Sequence, residues 1–229
     1  MDRILMFSGG LDSFILKELH GFKNSECLFV RMGTEENRQE EKLLDEYFPG
    51  VLKTDMPLAS FELSNKIIPF RNHFIALLGA QFSTNVYFAF TAGDTTRDKD
   101  YVFKAQMEGL LNYFAGIPEK TPFPDEVYEI FMPFKNHTKV QLVEEYIAAG
   151  NDPQRLIEYT KSCYAGKQID CGICRSCIRK YVALTLNSIQ CEELFETSPR
   201  LFLNKFYDEC LHKNRKLETE EVKRCINLK

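Results

Sequence analysis

The chain has 229 residues, 44% of them apolar, which is enough to bury a substantial core, and its 33 acidic and 29 basic residues leave a formal charge of −4. That balance gives no overall basic field, so RNA is not expected as a tightly held direct substrate. No apolar run approaches bilayer length, and the first strand starts too soon after Met1 to leave room for a signal peptide, so a cytoplasmic protein is expected. In chain order, Ile4-Leu5-Met6-Phe7 reads as a strand that opens into Ser8-Gly9-Gly10-Leu11-Asp12-Ser13 and then a helix with apolar Phe14, Ile15, Leu16 and Leu19. Adjacent glycines permit a positive-φ turn and close backbone approach, while the first-turn amides and two hydroxyls face an anion. This is a phosphate cradle, with ATP as the expected guest. It lacks the Gly-Lys-Ser/Thr of the Walker loop and the third glycine of the dinucleotide fingerprint. An ordinary strand-to-helix connection capped by Asp12 or Ser8 is the alternative.

Further along, Cys27 to Val30 reads as a second strand, Glu36 to Tyr47 as a polar helix, and Val51-Leu52 as a short third strand. Arg71 to Phe82 is an apolar helix, Val86 to Thr91 a buried strand, Phe103 to Phe114 a helix, and Ile130 to Met132 a strand ended by Pro133. Thr138 to Ala149 is amphipathic, with Thr138 as N-cap and Gly150 as its stop. Strands alternating with helices predict an α/β domain over residues 1–150, a doubly wound parallel sheet with ligands at the carboxyl ends of its strands. Residues 151–229 form a mainly helical lobe, with helices over Cys177 to Leu186 and over Pro199 to His212. In the second of these, Leu201, Phe202, Phe206 and Tyr207 take the apolar positions. The charged tail from Lys213 reads as a solvated terminal helix, and Gly116 to Asp125 as a mobile loop or dimer contact.

Eight cysteines in a chain of this size, with no export signal, do not suggest disulfides. Cys163, Cys171, Cys174 and Cys177 are spaced to surround one tetrahedral centre, with Gly172 allowing a tight turn between ligands. Four filled positions point to structural zinc, with an iron–sulfur cluster or a redox dithiol as alternatives. Cys27, Cys191, Cys210 and Cys225 are scattered and read as inert thiols.

The segment Ser8 to Ser13 resembles the signature of the PP-loop ATP pyrophosphatase superfamily, whose loop holds the pyrophosphate of ATP while an acceptor attacks the α-phosphate. Three further motifs are Pro69-Phe70-Arg71-Asn72 ahead of an apolar helix, Gly93 with a downstream Asp98, and Ser162-Cys163-Tyr164 leading to Cys171-Gly172-Ile173-Cys174-Arg175-Ser176-Cys177. Together they are similar to the 7-cyano-7-deazaguanine synthase (QueC) family, from about residue 4 to about residue 185. The resemblance implies an adenine nucleotide hydrolase-like sheet with a zinc lobe. It also implies an ATP-dependent ligase of queuosine and deazapurine biosynthesis that uses ammonia to convert 7-carboxy-7-deazaguanine into the nitrile. Magnesium accompanies the nucleotide, and a homodimer is compatible with it.

On that resemblance, Phe7, Ser8, Gly9, Gly10, Leu11, Asp12 and Ser13 bind the nucleotide, with Asp12 orienting the loop or a magnesium ion. Asp12, Arg71 and Asp98 are the candidate catalytic residues, and Arg71, Asn72 and Asp98 the substrate-binding ones. The resemblance of the helix start at Thr138-Lys139 to the family's Thr-Lys-x-x-hydrophobic pattern also places Lys139 at a phosphate. Read without the resemblance, Arg71 caps or pairs locally, Asp98 caps the helix near Tyr101, and Lys139 is a solvated helix residue, while His73 and His137 receive no role. Two segments depart from the family pattern. Met32-Gly33-Thr34-Glu35-Glu36 replaces the usual Tyr-Gly-Gln-Arg-His. Asp100-Tyr101-Val102-Phe103 lacks the Tyr-Pro-Asp found downstream of Asp98, which signals either a changed substrate or relocation of a substrate-facing carboxylate to Asp98 or Asp100. The other functional readings are a PP-loop enzyme adenylating another carboxylate or an RNA base, and a non-catalytic module binding zinc and nucleotide.

Overall fold

The computed structural model describes residues 1–115, 117, 121–123, 126–165 and 168–228. Most of the segment read as a mobile loop or dimer contact, Gly116 to Asp125, therefore lies outside the described residues. Five strands, β1 (Ile4–Met6), β2 (Cys27–Arg31), β3 (Leu52–Asp55), β4 (Asn85–Tyr87) and β5 (Glu129–Phe131), form one all-parallel sheet in the order β3-β2-β1-β4-β5. The chain winds outward on one side of β1 and then on the other, so the crevice beyond the carboxyl end of β1 is a topological switch point. Period-two alternation splits the apolar residues between two faces. Leu5, Phe7, Cys27 and Phe29 enter one core, while Ile4, Met6, Leu28 and Val30 enter the other.

The first core is covered by α1 (Leu11–Leu19), α5 (Lys139–Ala148), α7 (Arg175–Leu186), α8 (Leu203–His212) and α9 (Lys216–Asn227). Ala76, Phe103 and Met107 of α3 (Arg71–Gly79) and α4 (Tyr101–Ala115) pack the second. The remaining α-helices are α2 (Glu35–Tyr47) and the short α6 (Gln154–Glu158). The expected N-cap holds: Thr138 Oγ1 accepts the Gln141 amide at 3.2 Å, and Gly150 ends the helix at φ +82°.

Several expected boundaries move. β4 stops at Tyr87 rather than Thr91 because β1 has by then turned into the glycine loop. Phe88 makes one further bond to the Phe131 carbonyl at 2.8 Å, and its ring then stacks on Phe90. The stretch from Pro199 is a 3-10 turn to Phe202 followed by α8, whose buried positions are Leu203, Phe206 and Cys210, while Leu201 is 75% exposed. The tail is not simply solvated: α9 buries Val222 and Cys225 against α7 and α8, together with Glu218 and Thr219. Asp100, not Asp98, caps α4, its Oδ1 accepting the Phe103 amide at 2.9 Å, and Phe103 itself lies wholly in the second core. Neither Asp100 nor Phe103 lines the cavity at the carboxyl end of the sheet. No described helix is long and apolar enough to cross a membrane.

Candidate active site

A cavity of about 220 Å³ lies at the switch point. The connection after β1 forms its floor. Gly9 turns at φ +72° with its Cα against Leu44, where a Cβ would lie 2.6 Å from Cδ1, so the tight turn requires glycine. Gly10 is extended and serves as the N-cap of α1 without a side-chain cap, so of the two glycines only Gly9 has a positive φ. The first-turn amides of Leu11, Asp12 and Ser13 have no intrahelical acceptor and point toward the cavity beside the hydroxyls of Ser8 and Ser13, which are 3.3 Å apart.

Cations close over this cradle from elements distant in sequence. Lys139, at the first turn of α5, pairs with Asp12 Oδ2, and burial holds its ammonium below the usual lysine range against the opposing pull of Asp12. It lines the cavity and is not the solvated lysine its helical setting suggests. Asp12 Oδ1 is buried without a hydrogen-bond partner among the described residues, leaving a carboxylate oxygen suited to a magnesium ion or its water. Lys161 donates its amide to the Gly9 carbonyl at 2.9 Å, and Ser162 Oγ accepts the Leu11 amide at 3.5 Å, so the segment before the cysteines braces the loop from above. Arg179 of α7 reaches the same wall, where it meets Asp94 at 3.4 Å and Thr91 Oγ1 at 3.0 Å. Burial alone would raise the Asp94 carboxyl, but Lys99, Arg179 and Lys139 hold it far below the ordinary range.

The opposite end is apolar and acidic. Leu28, Val30, Met32, Phe88 and Phe90 form its walls, with Arg71 and Asn72 from the start of α3. Glu36 lies 3.6 Å from Arg71, so one of the acidic departures from the family pattern neutralises the arginine expected to meet a substrate anion. One helical turn on, Glu40 is pushed up to about 8, first by burial and then by Glu36; the Glu36 carboxyl is itself raised by burial. Asp98 stands outside the cavity wall and touches it through Asn72, whose Nδ2 donates to Oδ2 at 2.7 Å. The sequence reading placed Glu36 in a segment that departs from the family pattern, and missed Asp94, Lys161, Arg179 and Glu40 as wall residues. Arg179 lies two residues beyond the last cysteine of a recognised motif, and that proximity was the available signal.

Cys163, Cys171, Cys174 and Cys177 converge, their sulfurs all within 4.8 Å of one another. Four thiolates about 2.3 Å from one tetrahedral ion would stand roughly 3.8 Å apart, so the donor set fits zinc with little adjustment. Gly172 makes the turn at φ +77°, and a Cβ there would sit 1.7 Å from the Thr197 carbonyl oxygen. Buried Asp170 anchors the loop through Lys161 at 2.8 Å and Lys180 at 3.8 Å. The other four cysteines are free and buried. Burial pushes the Cys27 thiol up to about 12 and the Cys191, Cys210 and Cys225 thiols up to about 11, which leaves them little thiolate.

A parallel α/β sheet with a glycine loop at its switch point and a thiolate cluster beside it defines a protein of the PP-loop class. The family model for "Queuosine biosynthesis protein QueC" matches residues 50–188, and the chain belongs to that family. It is 26% identical over 148 residues to 7-cyano-7-deazaguanine synthase from Pseudoalteromonas translucida (strain TAC 125), a match covering 59% of this chain and 61% of that one. It is also 26% identical over 142 residues to the synthase of the same name from Methanothermobacter thermautotrophicus, covering 62% of this chain and 61% of the relative. The chain thus spans about three-fifths of the length of these relatives.

Proposed function

We propose that the protein is an ATP-dependent carbon–nitrogen ligase that converts 7-carboxy-7-deazaguanine and ammonia into 7-cyano-7-deazaguanine. The observation carrying this reading is the convergence on one cavity of the Ser8–Ser13 cradle, the cations Lys139 and Arg179, and the apolar slot beside Arg71. A carboxylate is a poor electrophile because loss of oxide is prohibitive. Attack of its oxygen on the α-phosphorus of ATP forms an acyl adenylate and releases pyrophosphate. Ammonia then adds to the acyl carbon, AMP leaves, and a proton is lost to give the amide. A second ATP activates the amide oxygen, and loss of both N–H protons and of that oxygen with AMP gives the nitrile.

The chain's part is positioning and charge stabilisation. Ser8, Ser13 and the α1 amides hold the pyrophosphate oxygens, with Lys139 and Arg179 meeting the charge that develops there. Phe88 and Phe90, stacked on each other, wall the slot for the flat heterocycle, and Glu36 and Glu40 supply acceptors for its N–H groups. Asp98 fixes Asn72. Magnesium supplies electrostatic stabilisation on the phosphates and is held by Asp12, while zinc is structural and held by the four cysteines. The protein acts as a soluble, cytoplasmic enzyme on a small molecule.

Mass spectrometry of the products after incubation with magnesium-ATP, ammonium and 7-carboxy-7-deazaguanine tests this, with a nitrile expected. Absence of any nucleotide turnover would overturn the ligase reading. One observation favours a second: because Glu36 already neutralises Arg71, a substrate bearing a different carboxylate, or none, suits the slot as well. Its mark is ATP consumption with no nitrile.

A further inference from the structure

We propose that Glu218 of the C-terminal helix α9 is a positioning residue for the cavity, holding the Arg179 guanidinium so that its free N–H groups face the phosphates of a bound nucleotide. The proposal rests on reading the cavity as an ATP site, and it concerns a helix beyond the 50–188 stretch that the family model matches.

Arg179 carries five N–H donors in a rigid plane. Nε donates to Glu218 Oε1 at 2.5 Å, one Nη1 hydrogen to Asp94 Oδ1 at 3.4 Å and one Nη2 hydrogen to Thr91 Oγ1 at 3.0 Å. One hydrogen on each Nη is left without a partner among the described residues, and Arg179 lines the cavity wall. Without Glu218 the carboxylate left in hydrogen-bond contact with the fork among the described residues is Asp94, on which it can settle bidentately and take up the hydrogens a phosphate needs. The backbone at Gly93 is shaped around the pair: a Cβ there would fall 2.2 Å from both Arg179 Nη2 and Glu218 Oε1. Glu218 is itself held, its Oε2 accepting from Arg215 at 3.2 Å, while Arg215 reaches Thr95 Oγ1 at 3.1 Å. One turn further along α9, Glu221 accepts from the hydroxyl of Thr138, the N-cap of the helix that carries Lys139. A single helix thus braces two of the cationic walls.

The test is calorimetric titration of the full chain with magnesium-ATP, comparing Glu218→Ala, Glu218→Gln and Val222→Ala. Glu218→Ala should weaken binding by about tenfold, the scale of a lost charge-assisted bond. Glu218→Gln keeps an acceptor for Nε and should stay within about threefold of the parent protein. Val222 is buried on the same helix and has no group that could hydrogen-bond Arg179, so Val222→Ala should lower Tm and leave affinity unchanged. Tighter binding by both Glu218 variants would mean that its charge only repels the anion, and weakening by Val222→Ala in step with Tm would mean a purely structural role; either overturns the proposal. The Arg179 Nε–H resonance in 15N NMR gives a readout free of ligand. A slowly exchanging signal that Glu218→Ala abolishes supports the clamp, and its absence from the parent protein overturns it. If that signal is present yet the parent binds no ATP, the nucleotide reading fails and the phosphate-facing role fails with it, while the pair stands.

Discussion

Asp12 and Lys139 sit 127 residues apart in sequence and form a buried pair on the phosphate cradle. The lysine is desolvated and held by one carboxylate oxygen, so its charge is fixed where pyrophosphate charge develops. Lys139→Met should therefore lower kcat by roughly 100- to 1,000-fold and weaken magnesium-ATP by about tenfold, as read by steady-state kinetics and titration. Parent-like kinetics would return Lys139 to the solvated role its sequence setting suggests. Glu40 makes a different prediction. Its folded-state value of about 8 lies above the ordinary 4.5, so its contribution to stability is fully present below about pH 4.5 and is lost as pH rises through about 8. Glu40→Gln keeps an oxygen for the 3.4 Å bond from Asn37 and removes that loss. Melting curves of the two proteins should nearly coincide at pH 5, with the variant ahead by about 3 °C or more at pH 9. A constant offset across that range would show that Glu40 does not titrate there.

Among the elements, those with a strong period were legible in the sequence: the βα alternation, the cap at Thr138, the stop at Gly150 and the four clustered cysteines. The strand after α3 was over-read because Val86 to Phe90 is continuously apolar, and apolarity does not reveal where a neighbouring strand turns away. Phe202, Phe206 and Tyr207 pack against the core as read, whereas Leu201 was misplaced because it precedes the α-helix, in a 3-10 turn with a different spacing. α9 was read as solvated because its residues are mostly charged; its anchoring acid, Glu218, is matched by an arginine 39 residues earlier, a pairing that no local pattern encodes. The same holds for the cavity. The cradle was legible as a contiguous motif, whereas Asp94, Lys161 and Arg179 become neighbours only when the sheet brings the carboxyl ends of its strands together.

At the scale of the whole molecule, the cysteine loop and the phosphate loop behave as one structure. Lys161 and Ser162 bond to the backbone of Gly9 and Leu11, and the next residue, Cys163, is a candidate metal ligand whose sulfur accepts the Cys171 amide at 3.2 Å. On the far side of the loop, Asp170 ties Lys161 and Lys180 to a β-bridge with Phe195, so the segment is held by charge pairs as well as by any ion. Thiolate ligation is commonly a large part of the folding free energy of such loops. Loss of the ion should therefore release four converging sulfurs and slacken the brace over the nucleotide cradle, while the sheet and the α3–α4 core persist. The expected result is one zinc per chain by elemental analysis of the purified protein. After chelation, Tm should fall and magnesium-ATP should bind at least about tenfold more weakly, both recovering on zinc addition. If the metal-free protein lost Tm but bound nucleotide as before, the Lys161–Gly9 contact would not transmit the state of the cysteines. If neither quantity moved, the four thiols would not depend on a metal for their arrangement, and Asp170 with its two lysines would be sufficient to hold the loop.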